Sequence, residues 1–311
     1  MAYYLGIDGG GSKTTCVVGN ESSLLATVTA GASNITRVGE AGAREALQQA
    51  IREACLAAGI NPQQVLRACI GAAGAGRPEI ASSVRKMVAE IIPGEIEVVG
   101  DMEIALTAAF GKGPGVIVIA GTGSIVFGRD AQGKVARAGG WGFAISDEGS
   151  AHWIGLAAVR AVLRAADEVG ESQAKRDPTW PAERLFSELK TAWSLTSLPQ
   201  LARAANANPD FAALFPAVLA AAEAGDALAR RVTADASREL AQLAGIVLRR
   251  LFSARHSSAV PMAMAGGVFR HAAMIRELFY NEVRAANPDV VLNPEVVDPV
   301  HGALQMARRA G

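Results

Sequence analysis

Residues Leu5 to Thr15, LGIDGGGSKTT, set an acidic side chain and three consecutive glycines on a tight turn directly after an apolar run. A turn without Cβ atoms lets backbone N–H groups close on a phosphate. Asp8 ends the apolar run, where a carboxylate calls for a partner such as a hydrated cation. Gly10, Gly11, Ser12, Lys13 and Thr14 supply donors suited to phosphate oxygens. A glycine hairpin needs no ligand, however, so the turn gains meaning only from its company. Neither the P-loop pattern nor the dinucleotide fingerprint fits: Gly6 and Gly11 are followed by Ser12 rather than Lys, and no third glycine follows Gly11. The next segment, 15–19, reads as a strand, which predicts a strand, turn, strand phosphate loop.

Two more glycine turns follow apolar strands: IAGTGS at 119–124, containing Gly121, Thr122 and Gly123, and MAGGV at 264–268, containing Gly266 and Gly267. Between the first two lies Asp101, directly after the strand-like stretch 96–99 and at a predicted helix start. There a carboxylate can cap the helix, and it can also accept a proton from a hydroxyl during phosphoryl transfer.

These residues need a scaffold, and composition limits what it can be. The chain has 311 residues and is 50% hydrophobic, enough for two domains with sizeable cores. Thirty Lys and Arg balance thirty Asp and Glu, so no broad basic footprint points to nucleic acid or an anionic membrane. Cys16, Cys55 and Cys69 form no CxxC pair, and reduced core thiols are the simplest account. His152, His256, His271 and His301 lack ligand spacing, so no protein-bound transition metal is expected. No secretory signal and no uninterrupted 18-residue apolar run is present, and a cytoplasmic protein is expected.

Apolar runs at 3–8, 14–19 and 24–30 predict an antiparallel three-stranded meander. A helix over 41–58, a strand at 66–71, a helix at 79–92, a strand at 96–99 and a helix from Asp101 follow. Three strands and then alternating helices and strands is the order of a ribonuclease-H-like α/β domain. The pattern restarts with strands at 115–120, 125–129 and 134–138. A helix over 148–168, an Ala/Leu-rich helical stretch over 180–251, a strand at 260–265 and helices over 269–285 and 299–309 complete the chain. The expected organisation is an N-terminal ribonuclease-H-like domain at 1–114, with the terminal helix 295–311 packing back on it. A second such domain spans 115–294, with a helical insert at about 170–252.

The order and spacing of the three glycine turns resemble the actin, hexokinase and heat-shock-chaperone superfamily of ATPases, in which two related domains close over a nucleotide. Within it, the block AGGWGFAISDEGSAHWIGLAAV at 138–159 is similar to the N-acetylglucosamine kinase and glucosamine kinase branch, and the likeness runs over essentially the whole chain. The resemblance implies an α/β fold with an interdomain cleft, ATP and Mg²⁺ as cofactors, an amino sugar as substrate, and a homodimer. It implies Asp101 as catalytic base, Asp8 holding magnesium through water, and Gly10 to Thr14 with Gly121 to Gly123 gripping the phosphates. Gly266 and Gly267 would lie near the adenosine. For the sugar it implies Asn34, Asp101, Gly140, Trp141, Gly142 and Asp147. Trp141 could equally be core, and Asp147 could cap the following helix. Animal members carry an asparagine near the second turn where this chain has Ile125, whereas bacterial glucosamine kinases share GIDGGG, IAGTGS and a late Gly302-Ala303-Leu304 element. Two other functions fit the same fold: an ATPase activator of radical acyl-CoA dehydratases, whose clustered cysteines this chain lacks, and a non-catalytic sugar sensor.

Overall fold

The computed structural model describes residues 2–170, 180–207, 209–252 and 259–309. They divide into two compact units, one of 1–117, 127–135 and 294–311, the other of 118–126 and 136–293.

The first unit is built on β1 (Tyr3–Gly9), β2 (Thr14–Gly19), β3 (Leu24–Ala30), β4 (Val65–Ala72) and β5 (Glu95–Gly100), in sheet order β3-β2-β1-β4-β5. The meander is antiparallel, and β4 and β5 add in parallel, so that Asp8 is in register with Gly71 and Gly71 with Val99. Parallel strands are covered on both faces. One face carries α1 (Ile35–Ala57) and α2 (Pro78–Ala89), whose Leu47, Ile51, Val84 and Met87 pack on Leu5, Ile7 and Ile70. The helix α1 begins earlier than periodicity predicts and is broken at Gly39, whose φ of 71° is left-handed. The other face carries α3 (Asp101–Phe110) and α11 (Pro299–Arg308). The Gly302-Ala303-Leu304 element is the seam: a Cβ on Gly302 would collide with the Ile104 carbonyl of α3, and one on Gly6 with the Leu304 backbone. Arg308 locks this helix by donating from Nε to Asn20 O and from Nη2 to Ser23 O, both at 2.7 Å.

Cys16, Cys55 and Cys69 are buried, and desolvation raises all three thiols, Cys55 to about 11 and Cys69 to about 12. Thiols so protonated are core side chains, not nucleophiles.

The second sheet runs β10-β9-β6-β7-β8, from β6 (Gly115–Ala120), β7 (Ser124–Arg129), β8 (Val135–Gly139), β9 (Val260–Ala265) and β10 (Val290–Val297). The periodicity predicts four of these five strands. It misses β10, whose Pro294 cannot donate to a ladder and is tolerated because β10 is an edge. The helices of the second unit are α4 (Ala151–Val169), α5 (Glu183–Trp193), α6 (Leu198–Ala205), α7 (Phe215–Glu223), α8 (Ala227–Phe252), α9 (Gly267–His271) and α10 (Ala273–Ala286). Buried Asp226 joins two of them, accepting from the Ala229 N–H at 2.8 Å and the Leu185 N–H at 3.1 Å. Among the described residues no single helix is long and apolar enough to cross a membrane.

Candidate active site

In the first unit, Asp8 and Asp101 lie at the carboxyl ends of parallel strands, the edge where open α/β sheets bind ligands. Two strand spacings separate their strands, about 10 Å, which leaves room for a phosphoryl group and an attacking hydroxyl. The first turn is fixed through its carbonyls: Gly9 O accepts from Ala73 N–H, Gly10 O from Ser33 N–H, and Lys13 O from Gly10 N–H at 3.0 Å. No group among the described residues accepts from the N–H of Gly11 or Lys13, so these donors are left for a ligand or water. Ser12 and Lys13 are exposed at the tip. Thr14 is different: its hydroxyl is fully buried, donating to Gly31 O at 2.7 Å and bonding Ser33 Oγ at 2.8 Å. Its side chain therefore braces the 31–33 loop from behind the turn.

That loop delivers Asn34, which caps α1: Oδ1 accepts from the Thr36 N–H at 3.0 Å and the Thr36 hydroxyl at 2.7 Å. Its two Nδ2 hydrogens have no acceptor among the described residues and remain available to a hydroxyl. Asp101 is the first residue of α3, with Gly100 as the cap, and its Oδ1 accepts from the Met102 N–H at 3.0 Å. Desolvation pushes its carboxyl above the ordinary carboxylate range; the Met102 bond pulls the other way, and the neighbouring Glu103 adds a smaller upward push. The result is a stronger base than a free aspartate.

In the second unit, the 121–123 turn is held onto the start of α4, with Gly121 O accepting from Ala151 N–H at 2.9 Å and Thr122 O from His152 N–H at 3.3 Å. Gly121 faces open space, whereas a Cβ on Gly123 would come within 2.6 Å of an Asp147 carboxylate oxygen. The Gly266-Gly267 turn reaches the same place: a Cβ on Gly266 would collide with the Ala120 carbonyl, one residue before the 121–123 turn. Two glycine turns, at 121–123 and 266–267, thus meet although they lie far apart in the chain.

Asp147 is buried and sits at φ 62°, a left-handed conformation uncommon for anything but glycine, asparagine and aspartate. It does not cap α4. Ser150 does, its Oγ accepting from the Trp153 N–H at 3.1 Å, and the helix starts at Ala151 rather than Glu148. Trp141 is not core: it is 68% exposed in the 140–145 loop, where Phe143 and Ile145 are exposed too. Gly140 lies against Ile125, whose Cδ1 is 2.7 Å from where a Cβ would be. One neighbour escapes sequence reasoning altogether. Arg137 stacks on Trp141, its guanidinium carbon 4.1 Å from the ring centre, and the only clue in the sequence is a spacing of four residues.

The family model for BadF/BadG/BcrA/BcrD ATPases matches residues 5–307. The chain belongs to that ATPase family. Within it, the chain is 34% identical to an N-acetylmuramic acid/N-acetylglucosamine kinase of Clostridium acetobutylicum, over 99% of both chains. It is 28% identical to an N-acetyl-D-glucosamine kinase of Dictyostelium discoideum, over 98% of this chain and 97% of that one. The fold matches a Chromobacterium violaceum structure, provisionally named an N-acetylglucosamine kinase, with a TM-score of 0.74, 24% identity and 99% coverage of each chain. The two five-stranded α/β sheets are therefore the two-domain actin-like ATPase fold expected from the three turns.

Magnesium binding can be judged from the donor set. Among the described residues no group of three or more His, Cys, Asp or Glu could hold an ion alone. Magnesium with a nucleotide needs no such cage, because phosphates and waters supply most ligands and one or two carboxylates suffice. Asp8 beside the first turn fits that requirement.

Proposed function

We propose that this ATPase-family chain is an amino-sugar kinase, moving the γ-phosphoryl group of ATP to the 6-hydroxyl of N-acetylglucosamine or glucosamine. The observation that carries the reading is Asp101, a carboxylate with a raised pKa at the strand edge beside the first phosphate turn, in a chain whose curated relatives are amino-sugar kinases over their full length.

In this reading the sugar hydroxyl oxygen forms a bond to the γ-phosphorus as the bond from that phosphorus to the bridging oxygen breaks. The hydroxyl proton passes to Asp101, and ADP leaves with the bridging oxygen. Gly10, Gly11, Ser12 and Lys13 hold phosphate oxygens, as do Gly121, Thr122 and Gly123, with Gly266 and Gly267 near the adenosine. Magnesium, when bound, neutralises phosphate charge, and Asp8 holds it through water. Asn34 and Asp147 orient sugar hydroxyls, the 140–142 backbone lines the sugar, and the exposed indole of Trp141 covers an apolar face.

The test is ADP release with ATP and magnesium, without sugar and with glucosamine, N-acetylglucosamine or glucose. Strong stimulation by an amino sugar is expected, with phosphate located on the 6-oxygen by NMR. Hydrolysis that ignores sugar would overturn the kinase reading in favour of an ATPase activator, and sugar binding without turnover in favour of a sensor.

A further inference from the structure

Residues 141–145, in the loop that leaves β8 for α4, are all exposed, the apolar side chains of Trp141, Phe143 and Ile145 among them. The loop lies in neither sheet nor helix, and its backbone closes on itself at Gly142 O, which accepts from the Ile145 N–H at 3.1 Å and the Ser146 N–H at 2.9 Å. A segment with so little burial keeps one shape only where side chains of firmer elements hold it. Arg137 contacts Trp141, but it stands on β8, the strand from which the loop emerges.

His152 holds the loop from a different element. It is the second residue of α4, and its ring centre lies 5.1 Å from that of Phe143, with the planes at 50°. Its backbone N–H is one of the donors that a helix start leaves without an intrahelical acceptor, and it is bonded to Thr122 O at 3.3 Å in the 121–123 turn. Buried Phe211 meets the same imidazole edge-on, at 5.3 Å and 77°, and Trp193 lies 5.5 Å from Phe211 in turn. The imidazole is thereby fixed against the packed body of its unit, and Phe143 rests on it. One residue touches the 121–123 turn with its backbone and the exposed loop with its ring, so a shift of the turn reaches the loop through a single side chain.

We propose that His152 is a positioning residue: through Phe143 it ties the sugar loop to the 121–123 turn, so that nucleotide held at the turn strengthens sugar binding. The inference rests on the kinase reading, with 140–142 as the sugar loop and 121–123 as a phosphate turn. The position needs a ring and not a titrating group, which separates this role from acid–base chemistry.

Calorimetry tests it by measuring Kd for the amino sugar that the enzyme phosphorylates, N-acetylglucosamine or glucosamine, without nucleotide and with saturating magnesium and the imido analogue of ATP. The ratio of the two constants is the readout, because a smaller active fraction changes the fitted stoichiometry and not the ratio. In the wild type, nucleotide should tighten sugar binding. His152→Ala should lower the ratio toward one by about 3- to 10-fold, the scale of losing one aromatic pair, whereas His152→Phe should keep it. Phe143→Ala should match His152→Ala, and the double variant should lose no more than either alone. A wild-type ratio of one, a ratio unmoved in His152→Ala, a loss as large in His152→Phe, or losses that multiply in the double variant would each overturn the assignment, while sugar-dependent ADP release would leave the kinase reading standing. A wild type that phosphorylates no amino sugar overturns both.

Discussion

Replacing Asp101 by Asn should separate catalysis from stability, and the structure gives a direction to each. The amide keeps an oxygen for the Met102 N–H, so the start of α3 is preserved. What disappears is the proton acceptor, which should lower turnover by about 10²- to 10⁴-fold, or about 2.7 to 5.4 kcal/mol of barrier. Stability should move the other way. The folded-state pKa of Asp101 is raised, chiefly by desolvation, so folding is favoured while the carboxyl is protonated and that favour is lost as pH rises through the folded value. At neutral pH the wild type therefore carries a desolvation cost on the charged carboxylate that Asn lacks. Urea denaturation at pH 7 should find the variant as stable as the wild type or more so, with any excess fading as pH falls below the ordinary carboxylate range. In the wild type, kcat/KM should fall on acidification through a pKa above that of a free aspartate, and this limb should vanish in the residual activity of the variant. A variant with near-normal turnover, or one that loses turnover only in proportion to unfolding, would refute the reasoning.

Asp8→Asn should weaken magnesium activation by about 10- to 100-fold, the scale for an outer-sphere partner; calorimetry of nucleotide binding with and without magnesium checks this independently of turnover. Asp226→Ala should cost about 1–3 kcal/mol of stability, because two buried helix N–H groups lose their acceptor; the urea midpoint reports it. Gly302→Ala forces α11 away from the Ile104 carbonyl and should cost about 1–3 kcal/mol. As α3 also carries Asp101, kcat of the folded fraction should drop as well, which single-turnover assays on protein of measured folded fraction would detect.

The sequence makes most of the fold legible because its signals are local. Glycine after an apolar run marks the ends of β1, β6 and β9, and the 3.6-residue period of Leu240, Val247 and Leu251 marks the long helix α8. Signals that depend on distant partners are invisible to it. Pro294 argues against a strand until one knows that β10 is an edge. Thr14 looks like a phosphate donor until Gly31 and Ser33 are seen to occupy its hydroxyl. Asp147 and Ser150 both suit a helix cap, and only the bond from Trp153 decides between them. Arg137 carries no motif, and its relation to Trp141 exists only once β8 turns into the loop.

The seam between α11 and β1 has a consequence in time. The contact of Arg308 with Asn20 joins residues 288 positions apart. A ribosome adding about 5 to 20 residues each second needs about 15 to 60 s to cover that stretch. Through all of it the first glycine turn exists as sequence, but Val17 on the sheet behind it lacks the Val300 and Leu304 side chains that cover it. The second unit, continuous from 136 to 293, is complete before the first. The first unit is thus assembled last, and a chain cut short before α11 would leave the first glycine turn unsupported from behind.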